Sequence, residues 1–262
     1  MLFVGSISFA QNFTQSNLPI VIIETYGQNI PDEPKITVDM GIIFNGPGEI
    51  NYLTDPFNDY DGIVGIEKRG SSSQWFFPKD QYAFETRDAE GNNLNVSLLG
   101  LPAENDWILH APYSDKSLMR NVLTYKWANE MGAYAPRTVF CEVILNGDYQ
   151  GVYVLMEKIK RDENRVDIAE MDENDLAGDS LTGGYIIKID KNEGAGNAGW
   201  ESEFPPYPGA WQEVYYQYHY PKPENIKYQQ KQYIQQFVNN FETVMNSSNF
   251  NDRKMVINPS LI

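Results

Sequence analysis

The chain has 262 residues, 42% hydrophobic and 21% charged, a balance that belongs to a globular protein and excludes collagen, coiled coil and long disorder. Its net charge of −16 repels phosphate backbones and anionic lipid, so neither nucleic acid nor a membrane surface is an expected partner. One cysteine, Cys141, and two histidines, His110 and His219, exclude a disulfide framework and a Cys-rich zinc site and leave little for a His-based metal site or triad.

In chain order, residues 1–10 (MLFVGSISFA) are apolar and close on the small-x-small pattern Ser8-Phe9-Ala10. They read as the remnant of a secretory signal peptide, with an apolar first strand as the alternative. A bilayer takes about 20 apolar residues to span, so the expectation is export rather than a transmembrane anchor. Residues 18–25 (LPIVIIET) predict a buried strand, and 35–44 (KITVDMGIIF), 62–68 (GIVGIEK) and 81–86 (QYAFET) further strands, with turns at 45–48 and 88–93.

Residues 114–131 predict a helix capped by Ser114 or Asp115 and stopped by Gly132, with Leu118, Met119, Val122, Leu123, Trp127 and Met131 on one broad apolar face. The turn Asn146-Gly147-Asp148-Tyr149 joins strands 138–145 and 151–157 into a hairpin. Beyond Lys158 the chain is charged, a solvated connector or short helix. Strands at 184–190 and 215–220 flank a Gly- and Pro-rich loop at 194–209. Residues 228–245 predict a helix, with Tyr233 or Ile234, Phe237 or Val238, Phe241, and Val244 or Met245 at helical spacing. A fresh apolar start at 255–262, where Asn258-Pro259-Ser260 suits a helix entry, suggests a fragment. The order of elements gives an α+β fold on a mostly antiparallel sheet with a packed helix.

Four places can hold chemistry. Arg69, Gly70, Ser71, Ser72 and Ser73 combine a glycine turn with three hydroxyls and free N–H groups, which suits phosphate oxygens as well as it suits a plain hairpin loop. Lys79 follows about ten residues on, either neutralising phosphates or solvated. Arg120 and Asn121 open the first helix, facing a site or serving capping and surface pairing beside Asp115. Glu157 and Lys158 end a strand whose free backbone groups suit an adenine edge, or else form an exposed pair. Trp107, Trp200, Trp211, Tyr207 and 215–220 line a groove or fill the core. The acidic run at 162–179 lacks calcium-loop spacing and reads as a solvated face.

Together RGSSS…PK, ENDWILHAPYSDKSLMRN, EMGAYAPR, LNGDYQGVYVLMEKI and LTGGYIIKIDK, in that order, resemble the CotH family of spore-coat-type atypical protein kinases. The resemblance covers 17–262 and implies the N-terminal portion of a kinase-like domain that binds ATP with Mg2+ and phosphorylates serine on protein substrates of basic, serine-rich character. On it, RGSSS occupies the phosphate-loop position, Lys79 the nucleotide-contacting lysine, 155–159 the adenine edge, and Glu157 the recurrent glutamate of the G-V-Y-x-x-x-E motif, paired with Lys79 or Arg120. Asp80 stands where the family usually has a second lysine. The family's catalytic aspartate (Asn-x-Asp-Gly-like) and metal-binding aspartate (Trp-Asp) follow the helix that opens near Ile257, so no catalytic or metal-binding residue is expected in this stretch. The rival expectation is a non-catalytic extracellular binding or assembly module on the same fold, which export favours because ATP is scarce outside the cytoplasm.

Overall fold

The computed structural model describes residues 13–192, 198–249, 251 and 253. The expected export segment, the start of the 194–209 loop and the helix entry at 255–262 lie outside them. The chain divides into two compact units at Lys158.

The first unit holds β1 (Gln15–Ser16), β2 (Ile20–Glu24), β3 (Ile36–Ile43), β4 (Asn51–Tyr52), β5 (Tyr60–Arg69), α1 (Ser72–Phe76), β6 (Gln81–Arg87), β7 (Asp106–His110), α2 (Arg120–Glu130), β8 (Thr138–Leu145) and β9 (Asp148–Glu157). Seven of the strands close a barrel in the order β2-β3-β5-β6-β7-β9-β8. Neighbours run antiparallel everywhere except at the seam, where β2 and β8 pair in parallel, Ile20 opposite Glu142. An odd number of strands demands this: directions that alternate around seven positions must repeat once.

Inward-facing Val38, Val64, Phe84, Trp107, Leu109, Tyr153 and Leu155 fill the barrel and are all but inaccessible. The hairpin turn at Asn146 and Gly147 has φ of 50° and 80°, the left-handed pair a tight two-residue connection requires.

Two features depart from the sequence-based reading. The sheet closes into a barrel, and the helix does not pack into it as a covered element: none of the eleven residues of α2 is buried. Val122, Tyr125 and Ala128 are half-covered, while Met119, Leu123, Trp127 and Met131 stay exposed. The helix also starts later than expected. Asp115 accepts hydrogen bonds from the N–H groups of Ser117 and Arg120 at 3.0 and 2.9 Å, which holds 115–119 as a turn, and Leu118 takes φ 59°.

The second unit contains α3 (Gly178–Thr182), β10 (Ile186–Ile189), β11 (Gly199–Glu201), β12 (Tyr215–Tyr220) and α4 (Tyr228–Asn246). The strands form an antiparallel sheet in the order β10-β12-β11. Ile234 of α4 packs with Tyr218 and Ile226, joined by Tyr233 and Val238, whereas Phe237 and Phe241 face out. Gln230 is buried at the start of α4; its Oε1 accepts Lys227 N–H and its Nε2 donates to the carbonyl of Asp172, tying down the acidic connector.

Candidate functional site

The barrel has two ends, and the residues singled out in the sequence divide between them. One end carries the β5–β6 connection (70–80), the β8–β9 turn and the close of β7 at His110. The other carries the end of β9 with the starts of β7 and β8.

At the first end, Arg69 closes β5 opposite Gln81 of β6. Gly70 turns the chain with φ 107°, and a Cβ there would lie 2.2 Å from Ser73 Oγ and 3.9 Å from Gln81 Nε2. Glycine is required here by both backbone and space. Ser71–Ser73 do not form an open loop as expected. Ser72 and Ser73 begin α1, a single turn that displays Trp75 and Phe76 to solvent at 89% and 75% exposure.

Lys79 stands just before β6, and its ammonium lies along β9. Nζ donates to the carbonyl of Val152 at 2.6 Å and sits 4.2 Å from the centre of the Tyr153 ring. Gly151, at φ 84°, leaves the space beside it open: a Cβ would approach Nζ to 3.5 Å. Burial pushes the Lys79 amine below its ordinary value, partly opposed by Cys141 and Glu142. Asp80 turns away and pairs with Lys68 at 2.7 Å, while its carbonyl accepts Tyr153 OH at 2.9 Å. The position where the family usually has a second lysine is thus tied to the β5–β6 edge.

The sequence reading missed His110 as a member of this end. Its Nδ1 lies 2.6 Å from Gln81 Oε1, within hydrogen-bond distance. Burial lowers its pKa from 6.5, Arg69 and Lys79 lower it further, and Asp115 opposes them. Arg69, Lys79, His110 and Asp115 therefore share one electrostatic neighbourhood. Arg120, with 81% of its side chain exposed, reaches it only through Asp115 at 3.5 Å. The missed signal was the pairing of Gln81 with His110 across β6 and β7, which no local pattern encodes.

At the second end, Glu157 is fully buried and its partner is neither Lys79 nor Arg120. Arg137 holds it through Nε at 3.0 Å and a second guanidinium nitrogen at 2.8 Å to Oε1, and its backbone N–H donates to Oε2 at 2.9 Å. Lys158 pairs with Asp106 at 3.1 Å. From Val152, the acceptor of Lys79, to Glu157 is five residues of strand, about 17 Å at ~3.4 Å per residue. The aromatics resolve toward packing: Trp107 is sealed in the core, with Nε1 donating to Glu104 O, and Trp200 stacks on Tyr216 and meets Tyr218 at a tilt, each at 5.2 Å, while Trp211 and Tyr207 are exposed.

A family model described as CotH kinase protein matches residues 66–258, from β5 through α4. The chain belongs to the CotH family. Inner spore coat protein H of Bacillus subtilis (strain 168) is 41% identical over 51 residues, a stretch that is 20% of this chain and 14% of that relative's length. Among the described residues, no helix is long and apolar enough to cross a membrane.

Proposed function

We propose that this CotH-family chain is the nucleotide-cradling part of an atypical protein kinase, built on a kinase-like fold, that transfers phosphate from ATP to serine on a secreted or surface protein. The observation that carries the reading is the concentration of positive charge at one barrel end. On a chain of net charge −16, Arg69 and Lys79 flank a glycine turn and a half-buried histidine. A half-buried ammonium held by one carbonyl and a ring face has lost part of its hydration, so an arriving phosphate gains more from it than from a fully solvated lysine. Arg69 would bind and orient phosphate oxygens, Gly70 would let the backbone approach, and Ser71–Ser73 would offer hydroxyls. The run of β9 toward Glu157 and Lys158 spans the reach of an extended nucleoside triphosphate. Glu157 acts there through Arg137 as a support for the strand end.

Mg2+ is the second group the resemblance implies. Among the described residues no three His, Cys, Asp or Glu side chains come together to hold a metal ion, so the donor set here does not fit one and no step is assigned to it. The acidic surface favours a basic substrate segment, and the name of the Bacillus subtilis relative supports a coat or surface location.

Calorimetric titration of ATP tests the assignment. Lys79→Ala should weaken binding at least about tenfold, the loss of one charge-assisted contact, while Lys188→Ala in the second unit should not. Equal affinities for Lys79→Ala and the unaltered chain would overturn it. A second reading, a non-catalytic binding module, is favoured by the aromatic pair Trp75 and Phe76 held out on α1. It would be supported if ATP fails to bind and a basic peptide binds in a manner lost with Trp75→Ala.

A further inference from the structure

We propose that α2 is the contact surface of a symmetric pair of these chains. Met119, Leu123, Trp127 and Met131 recur at every fourth position, so they form one ridge along the helix, and they are 46%, 36%, 57% and 74% exposed. The helix is continuous through both ends of the ridge, since Leu123 N–H donates to Met119 O and Met131 N–H to Trp127 O. Four large apolar side chains in a row are more than the scattered exposure normal for a surface and mark an interaction site.

The partner that fits is a second copy, for two reasons. First, charge: a chain of net charge −16 repels its own kind over most of its surface. Along α2, Arg120 pairs with Asp115 and Lys126 with Glu130, so this face is close to neutral. This face is where two copies approach with least repulsion. Second, the order of residues is self-complementary about Tyr125. Turned end for end, the helix sets Met119 against Met131, Leu123 against Trp127, and Arg120 against Glu130. A two-fold contact requires this, because each residue meets its mate twice. Ridges of every-fourth-residue spacing also pack into one another in the commonest helix-pair geometry. One helix pair buries less than the roughly 1,200–2,000 Å² of a standard interface, so the pair should be weak and form in the micromolar range, about 10–100 μM.

The test is sedimentation of the full chain over a concentration series. A monomer–dimer equilibrium is expected, lost in Trp127→Glu, whose exposed site leaves the fold intact by circular dichroism. Arg120→Glu alone sets like charges together twice, as does Glu130→Arg alone, and each should be monomeric. Mixed in equal amounts they should pair with each other, since both contacts then join opposite charges. A fault in helix capping would not be repaired by mixing. A chain that stays monomeric throughout, a dimer that survives Trp127→Glu, or a mixture that stays monomeric overturns the proposal and leaves the ridge to a different partner.

Discussion

The two units bury their strands in different ways, one as a closed barrel and the other as a small sheet packed with a single long helix. The barrel pairs β2, β3, β5, β6, β7, β8 and β9 on both sides, so they have no free edge, and its interior is filled by large apolar side chains. Among its buried carboxylates, Glu157 is matched by Arg137, and Glu142 accepts the hydroxyls of Ser16 and Tyr149. The second unit has three strands and one long helix over a core of Tyr218, Ile226 and Ile234. Buried polar atoms without a hydrogen-bond partner among the described residues occur in both units: Arg87 Nε and Asn105 Nδ2 in the first, and Trp200 Nε1, Asn239 Oδ1 and Glu242 Oε2 in the second. Each such group costs on the order of 1–3 kcal/mol. The barrel is closed and deep and the second unit is thin, and both keep unmet demand.

The sharpest way to break this contrast is Arg137→Ala. It leaves the Glu157 carboxylate buried with hydrogen bonds from the residue-137 N–H and the Tyr134 hydroxyl but no cation beside it, and should cost about 3 kcal/mol, read from urea unfolding of the barrel. Arg137 is itself 37% exposed and can rehydrate, so Glu157→Ala should cost less than its partner's removal; the reverse order would show that the cost lies in packing. Next comes Ile234→Ala. A deep core position loses about 2–5 kcal/mol, and the shallow core of the second unit places this one near 2. Hydrogen exchange should show faster opening at β12 and α4 while β6 and β7 keep their protection.

The third effect depends on pH. Folded His110 gives up its proton more readily than at its ordinary 6.5, so in the window just below 6.5 the unfolded chain binds more protons than the native one. Stability therefore rises with pH through that window and falls on acidification. Relative to the unaltered chain, His110→Gln should flatten the dependence of the barrel's urea midpoint across pH 6.5. Smallest is Trp75→Ala: its side chain is solvated, and the unfolding free energy should change by less than about 0.5 kcal/mol.

How much of this was legible in the sequence follows from how local each signal is. The Asn146-Gly147 hairpin, β2, β3, β5, β6 and α4 were readable because turn chemistry and side-chain periodicity are encoded within a dozen residues. Closure was not. The pairing of Ile20 with Glu142 joins segments far apart in the chain, and nothing in either segment names the other. β7 was missed because five residues, three of them buried in succession, show no alternation. The apolar residues of 114–131 announced a helix correctly, but hydrophobicity cannot say whether a face is covered by its own fold. At the site, RGSSS and Lys79 stood out through composition. The choice of Arg137 for Glu157, and the approach of His110 to Arg69 and Lys79, depend on strand register, which only the assembled barrel fixes.

The parallel seam also bears on how the chain comes into being. During translation, β2 emerges long before β8, and until Glu142–Leu145 leave the ribosome one side of an Ile- and Val-rich strand has no mate. Such a nascent chain offers a sticky template to its neighbours. Cells making this protein should depend on a holding chaperone, or on slow release, for as long as that last strand is still unmade.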